Sequence, residues 1–226
     1  MPLNKTFSVV FLFLFSLTIY ATEQFPDILK YNGKKYEWKT ISPARIYFEN
    51  KGFKPPKEAI ETTANVDYFI YEYEITEGKL YLSDVIILYE NSNKKLDSRS
   101  VFALYFPGQS KFLMSQFSRV FFISYGEEKL IEYKKEDWSE YYYSNYLVFD
   151  IENGIVKKEY DLNYNELKKL EKKQLRKFKK TNDYKTGIIK EKENYKFYNE
   201  MRPENLKVSF DKFLESKIFN LIKTLK

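Results

Sequence analysis

The residues that could carry chemistry in this chain are carboxylates and tyrosines, because it contains neither cysteine nor histidine. That double absence excludes disulfides, thiolate nucleophiles, Ser-His-Asp and Cys-His arrangements, and histidine or cysteine metal sites. What remains is acid–base work by Asp and Glu, or recognition through aromatic surface. The most pointed carboxylate is Asp84. It lies in Val66–Tyr89, where two apolar runs flank Thr76-Glu77-Gly78-Lys79, the pattern of a β-hairpin with Gly at the tight turn. With Glu77-Gly78 at the tip, Ile75 faces Leu80, Tyr73 faces Leu82 and Tyr71 faces Asp84. Asp84 then shares the apolar face with Tyr71, Leu82 and Ile86, where a carboxylate has a raised pKa and can act as an acid or anchor a ligand. The commoner fate of such a group is satisfaction by Tyr hydroxyls or backbone N–H groups. Glu74 faces the other way, so Glu74 and Asp84 are poorly placed to flank one glycosidic bond. A carboxylate-dependent hydrolase would instead need Asp84 and Asp150 within reach of each other.

The aromatic residues offer a second kind of site. Aromatics make up 19% of the chain, with 21 Tyr and 20 Phe, a load that suits pleated surfaces better than helices. Tyr141-Tyr142-Tyr143, Tyr146 and Trp138 could form a stacking platform for a sugar, a base or a partner protein. As alternating strand residues they divide more simply into half core and half surface. Tyr71, Asp84, Trp138, Tyr142 and Tyr146 are the candidate ligand or partner surface. No Gly-rich phosphate loop and no metal-ligand spacing is present, so no cofactor is expected.

A third feature is charge. Glu166–Lys180 carries eight Lys or Arg and two Glu, a net +6 equal to that of the whole chain, so the basic character belongs to this one stretch. It lacks Gly and Pro and reads as a helix with a thin stripe of Leu167, Leu170, Leu175 and Phe178. Lys172, Lys173, Arg176 and Lys177 could contact an anionic surface such as lipid or lipopolysaccharide head groups, although such runs are more often solvated faces.

These residues must be positioned by elements legible along the chain. Residues 1–21 have a positive Lys5, an apolar Phe7–Tyr20 and a small Ala21, which reads as a secretory signal cleaved near Ala21. An uncleaved anchor is the competing reading, and no Cys follows to make a lipoprotein. Export to a periplasmic or extracellular space disfavours nucleic acid as a partner. Residues 22–161 read as one antiparallel β domain, a meander curling into a barrel or sandwich. Asn32-Gly33 turns a first hairpin, and Ser42–Pro56 is loop with one helical turn around Arg45–Phe48. Asn91–Ser98 is a surface connection and Val101–Phe106 a strand. Phe112–Met114, Val120–Tyr125 and Lys129–Tyr133 are further strands, the last two joined across Gly126-Glu127-Glu128. Trp138–Ile151 and Ile155–Tyr160 form a hairpin about Glu152-Asn153-Gly154, with Leu147, Phe149 and Ile151 on one side and Tyr146, Val148 and Asp150 on the other. Residues 162–226 hold the basic helix, an irregular Thr181–Arg202 with a short strand at Gly187–Ile189, and a C-terminal helix capped by Ser209. The expected class is therefore mainly β with two C-terminal helices.

Several phrases together resemble a family of small bacterial proteins. They are PDILKYNGKKY (Pro26–Tyr36), Thr63-Ala64 before an aromatic strand, YEYEITEGKLYLSDV (Tyr71–Val85), FPG (Phe106–Gly108), KLIEY (Lys129–Tyr133) and DIENGIV (Asp150–Val156). The family's own patterns are of the type PDILIYQGKEY, TALWRGYVATWEI..NKLYLVDI, LFPG, WFSG, LLQYVHMGYG and I.NGVV, in the same order from about Phe25 to Val156. The resemblance implies a shared β-rich fold and no particular chemistry. Departures fall at Asn65–Tyr68 in place of WRGY, Gln116–Arg119 in place of WFSG, and Lys134–Trp138 in place of HMGYG. The expected role is a non-enzymatic exported binding protein that engages a protein or small ligand. An envelope-associated structural protein held by the basic helix is the alternative, and the hydrolase comes third.

Overall fold

The structure is a computed structural model that describes residues 25–40, 42–65, 67–133 and 138–225, with the side chains of 131–140 outside the description. The expected export signal over 1–21 lies outside the described residues. β1 (Asp27–Tyr31) and β2 (Lys34–Trp38) form the first hairpin, turned at Asn32-Gly33, where both residues adopt positive φ. Helix α1 (Pro43–Lys51) follows, longer than the single turn expected. Ser42 caps it by accepting from the Arg45 N–H, Pro43 fits its first turn, and Gly52 ends it in the left-handed region.

β3 (Phe69–Thr76) and β4 (Lys79–Glu90) make the central hairpin, and its register departs from the sequence reading at one point. Ile75 opposes Leu80 and Tyr73 opposes Leu82, as expected; beyond a bulge at Ser83, however, Glu72 opposes Asp84 and Tyr71 opposes Val85. The extra residue moves Asp84 off the apolar face and puts Val85, which is fully buried, beside Tyr71. The physical reason is the cost of a carboxylate in an aromatic interior: one added residue exchanges it for a valine.

β5 (Leu96–Ser100) occupies the expected surface connection and pairs with β4. The expected strand at Val101–Phe106 is a short helix, α2 (Phe102–Tyr105). A strand would put Phe102, Leu104 and Phe106 on one face, but Leu104 is 62% exposed while Phe102 and Phe106 pack ring on ring at 4.9 Å. β6 (Phe112–Leu113) pairs with β4. β7 (Arg119–Tyr133) is one strand rather than two, bulged after Tyr125 at Gly126. β8 (Trp138–Glu152) and β9 (Ile155–Asn163) complete the sheet.

Among the described residues nine strands form one mixed sheet in the order β2-β1-β3-β4-β9-β8-β7, with β5 and β6 also on β4. It is mixed because β1 runs parallel to β3, against the all-antiparallel expectation. It is also not a closed barrel. β4 meets β9 at the single pair Lys79 and Ile155, and the edge strands β2 and β7 share no ladder. Their rings meet instead: Trp38 stacks on Phe121 at 4.2 Å, and Tyr36 meets Tyr125 edge-on at 5.3 Å. The inward face, including Leu29, Trp38, Tyr73, Leu82 and Phe149, forms one aromatic core.

Helices α3 (Tyr164–Phe178), α4 (Asn182–Glu200) and α5 (Phe210–Leu221) follow, three where two were expected. A second core forms where Val120, Tyr146 and Val148 on the outer face of β7 and β8 meet Leu167, Leu175, Phe213 and Leu214 of α3 and α5. The C-terminal region thus covers the outer face of β7, β8 and β9. α4 replaces the expected irregular segment; none of its residues is buried, and Tyr184, Ile188, Tyr195 and Tyr198 rest on this core from one side. Among the described residues no helix is long and apolar enough to cross a membrane.

Candidate functional site

Strand alternation sets the site. Leu29 points into the core, so Asp27 and Tyr31, two residues either side of it, share its inward face. Tyr31 closes on Phe149 edge-on at 5.1 Å, whereas Asp27 opens onto a cavity of about 240 Å³. The cavity lies between the start of β1, the first turn of α1 and the loop before β3, and is lined among others by Asp27, Trp38, Arg45, Asn65, Asp67 and Tyr71. The chain entering β1 is pinned beside that loop by the Phe25 N–H donating to Ala64 O at 2.8 Å.

The Asp27 carboxylate accepts the Tyr71 N–H at 3.0 Å. Burial pushes its pKa from 3.8 up to about 6, only partly offset by the Ser42 hydroxyl, the Tyr71 N–H and the Arg45 charge. It is therefore a carboxylate that changes charge close to neutrality. Arg45 itself is ion-paired with Asp67 across the mouth and, at 3.5 Å, with Glu49 one turn along α1.

Two donors in the same cavity are uncommitted. Asn65 is only 6% exposed, held by a tight turn in which its backbone exchanges hydrogen bonds with Thr62 at 3.0 and 3.2 Å. Its Nδ2 nevertheless has no hydrogen-bond partner among the described residues, nor does Thr62 Oγ1. Buried amides without partners are uncommon because desolvation costs about 1–3 kcal/mol. The second donor is the Tyr71 hydroxyl, which has no partner among the described residues either. Burial first, and then the nearby Asp27 and Asp67 charges, raise its pKa, so it stays protonated. Tyr73, next on the same face, differs: its hydroxyl bonds Ser42 Oγ at 2.7 Å and accepts the Ala44 N–H at 2.9 Å, tying β3 to the start of α1. Trp38 Nε1 is likewise used, donating to Thr40 Oγ1 at 2.6 Å.

A larger, more open cleft of about 760 Å³ lies at the other end of β1, between the Asn32-Gly33 and Glu77-Gly78 turns and Glu159. Its Lys30, Lys34 and Lys35 are balanced by Glu74, Glu77 and Glu159. Nearby, Tyr125 donates to Asp161 at 2.5 Å, and burial together with that carboxylate pushes its pKa up to about 12. Its named groups reach solvent, so the smaller cavity is the better-built site.

Of the sequence candidates, Tyr71 lines the site. Asp84 accepts the Val85 N–H at 2.8 Å and the Ser100 hydroxyl at 2.5 Å. Asp150 is buried on the helix-covered face, takes the Leu225 N–H at 2.8 Å, and has its pKa raised by burial. The two carboxylates are thus held by separate partners, not brought together. Tyr142 packs on Tyr164 at 4.5 Å between ring centres, and Tyr146 is a buried core residue whose hydroxyl accepts the Tyr143 N–H at 2.9 Å. Trp138 pairs with Tyr133 through its backbone, and its side chain lies outside the described ones. Lys172, Lys173 and Arg176 are exposed on α3, and Lys177 is half-exposed. Sequence reading passed over Asp27, although an aspartate in phase with Leu29 was a usable signal; Asn65 sits in a loop that offers none.

Among the described residues no group of three or more Asp or Glu could hold a metal ion. No family model, curated protein or solved structure matches the chain.

Proposed function

We propose that this protein is a non-enzymatic, exported binding protein and that its ligand presents a primary carboxamide, or the carboxamide end of a larger molecule, to the Asp27 cavity. The observation that carries this is the buried Asn65 Nδ2, without a partner among the described residues, on a side chain that lines the same cavity as Tyr71, whose hydroxyl likewise has none among them, and as the half-buried Asp27 carboxylate. Two donors call for an acceptor oxygen, and Asp27 calls for a donor beside it; a carboxamide supplies both in one planar group. At about 30 Å³ per water, a cavity of about 240 Å³ holds roughly eight waters' worth of ligand, which fits a fragment of this kind. Asp67, the second carboxylate lining the cavity, is committed to Arg45, so among the described lining residues Asp27 has no uncommitted second carboxylate to work with, and this favours binding over turnover. The apolar Phe7–Tyr20 supports the export component, which N-terminal sequencing of secreted protein tests.

The binding component is tested by titrating N-acetylglycinamide into labelled protein and following amide resonances. The expected result is saturable shifts at the Asn65 side chain and the Tyr71 backbone, lost in Asn65→Leu and weakened in Tyr71→Phe. Shifts confined to other surfaces, or unchanged in both variants, would remove the proposal.

A further inference from the structure

Helix α3 presents a second feature, independent of the cavity. At about 100° per residue, Lys169, Lys172, Lys173 and Arg176 fall within an arc of roughly 100°, opposite the buried Leu167, Gln174, Leu175 and Phe178. All four are exposed, as is Lys180 just past the helix end, and none of the five makes an ion pair among the described residues. The helix contains two acidic residues, and both are committed elsewhere. Glu166 closes the capping box with Asn163, accepting its N–H at 2.9 Å. Glu171 is buried and paired with Lys168 at 2.8 Å. Lys179 is neutralised by Asp211 at 2.7 Å. The outward face is therefore cationic without interruption over about 16 Å, only about two Debye lengths at physiological salt, so neighbouring charges act together.

We infer that this face of α3 docks the protein onto an anionic lipid bilayer. Four of the five cations are lysines, point charges without the planar fork that favours fixed phosphate geometry. No aromatic side chain interrupts the row, so bases have nothing to stack on, which argues against single-stranded nucleic acid. A fluid bilayer needs neither device, since its anionic head groups can gather beneath unpatterned lysines. The face has no apolar residue to insert, so the association is peripheral and salt-sensitive. The helix stands ready for it, held by its cap and by Leu167, Leu175 and Phe178 in the second core.

The test is co-sedimentation of the full chain with vesicles of phosphatidylcholine alone or with added phosphatidylglycerol. Retention on phosphatidylcholine alone measures any contribution of the apolar Phe7–Tyr20, and the charge contribution is read as the excess on anionic vesicles, at lipid concentrations where under about half of the protein sediments with the neutral ones. Binding to anionic over neutral vesicles is expected at low salt, lost by about 0.5 M salt. Lys172→Gln with Lys173→Gln should weaken it by about 25-fold, roughly fivefold per charge. Lys94→Gln with Lys95→Gln, the same charge change in the β4–β5 turn, should leave it nearly unchanged. Equal loss in the two pairs, equal retention by both vesicle types, insensitivity to salt, or tighter binding to DNA than to vesicles would each overturn the inference. Unchanged circular dichroism and urea midpoint in the variants keep a folding defect from mimicking the expected result.

Discussion

Replacing Asp27 by asparagine tests the electrostatics of the cavity directly. A carboxylate whose pKa is about 6 in the folded protein and close to 3.8 in the unfolded chain binds its proton more tightly when folded. Its stabilising effect is complete below about pH 4 and is lost as pH rises through about 6. At about 1.4 kcal/mol per tenfold change, that gap corresponds to about 3 kcal/mol; discounted for the part of Asp27 that water reaches, about 2 kcal/mol. The amide oxygen introduced by Asp27→Asn can still accept the Tyr71 N–H that the carboxylate holds at 3.0 Å, so the variant keeps the bond and loses only the titration. The two proteins should therefore have similar stability near pH 4, and Asp27→Asn should be more stable by about 2 kcal/mol near pH 7.5. Urea unfolding at half-unit pH steps, followed by tryptophan fluorescence, measures the difference; Asp150 and Glu171, also raised by burial, titrate in both proteins and cancel. A difference that is flat or falls with pH would refute the reasoning.

Three further outcomes follow from neighbouring geometry. Tyr73→Phe strands the buried Ala44 N–H and should cost about 1–3 kcal/mol in urea unfolding, whereas Tyr71→Phe, whose hydroxyl has no partner among the described residues, should change stability by under about 0.5 kcal/mol. Gly154→Ala places a Cβ 2.9 Å from the Met114 carbonyl at φ 75° and should cost about 3 kcal/mol, while Gly33→Ala, at φ 73° with nothing within 4 Å, should cost about 1 kcal/mol by the same measurement. Asp150→Ala removes the acceptor of the Leu225 N–H, so that amide should lose hydrogen-exchange protection while Val148, within the β8–β9 ladder, keeps its own.

Much of the fold was legible because burial on one face writes a period into the residues. Leu147, Phe149 and Ile151 lie in the inner core and Tyr146 and Val148 in the outer one, as their alternation indicated. The turns at Asn32-Gly33, Glu77-Gly78 and Asn153-Gly154 were legible because each needs positive φ. β5 was missed because every one of its residues is exposed, so no alternation exists to read. α4 was missed because its contacts, at 184, 188, 195 and 198, are partial and set among polar residues.

The sequence by itself determined the aromatic strands, the turns between them, the cationic character of α3 and the exclusion of cysteine and histidine chemistry, since each depends on residue type and near neighbours. Tertiary structure alone decided where each carboxylate lies. The bulge at Ser83 turned Asp84 out of the core, and the parallel seating of β1 on β3 set Asp27 against the Tyr71 N–H, forty-four positions away. Burial and hydrogen bonding across such separations depend on how strands meet, and strand meetings are fixed by the whole core rather than by any stretch of chain.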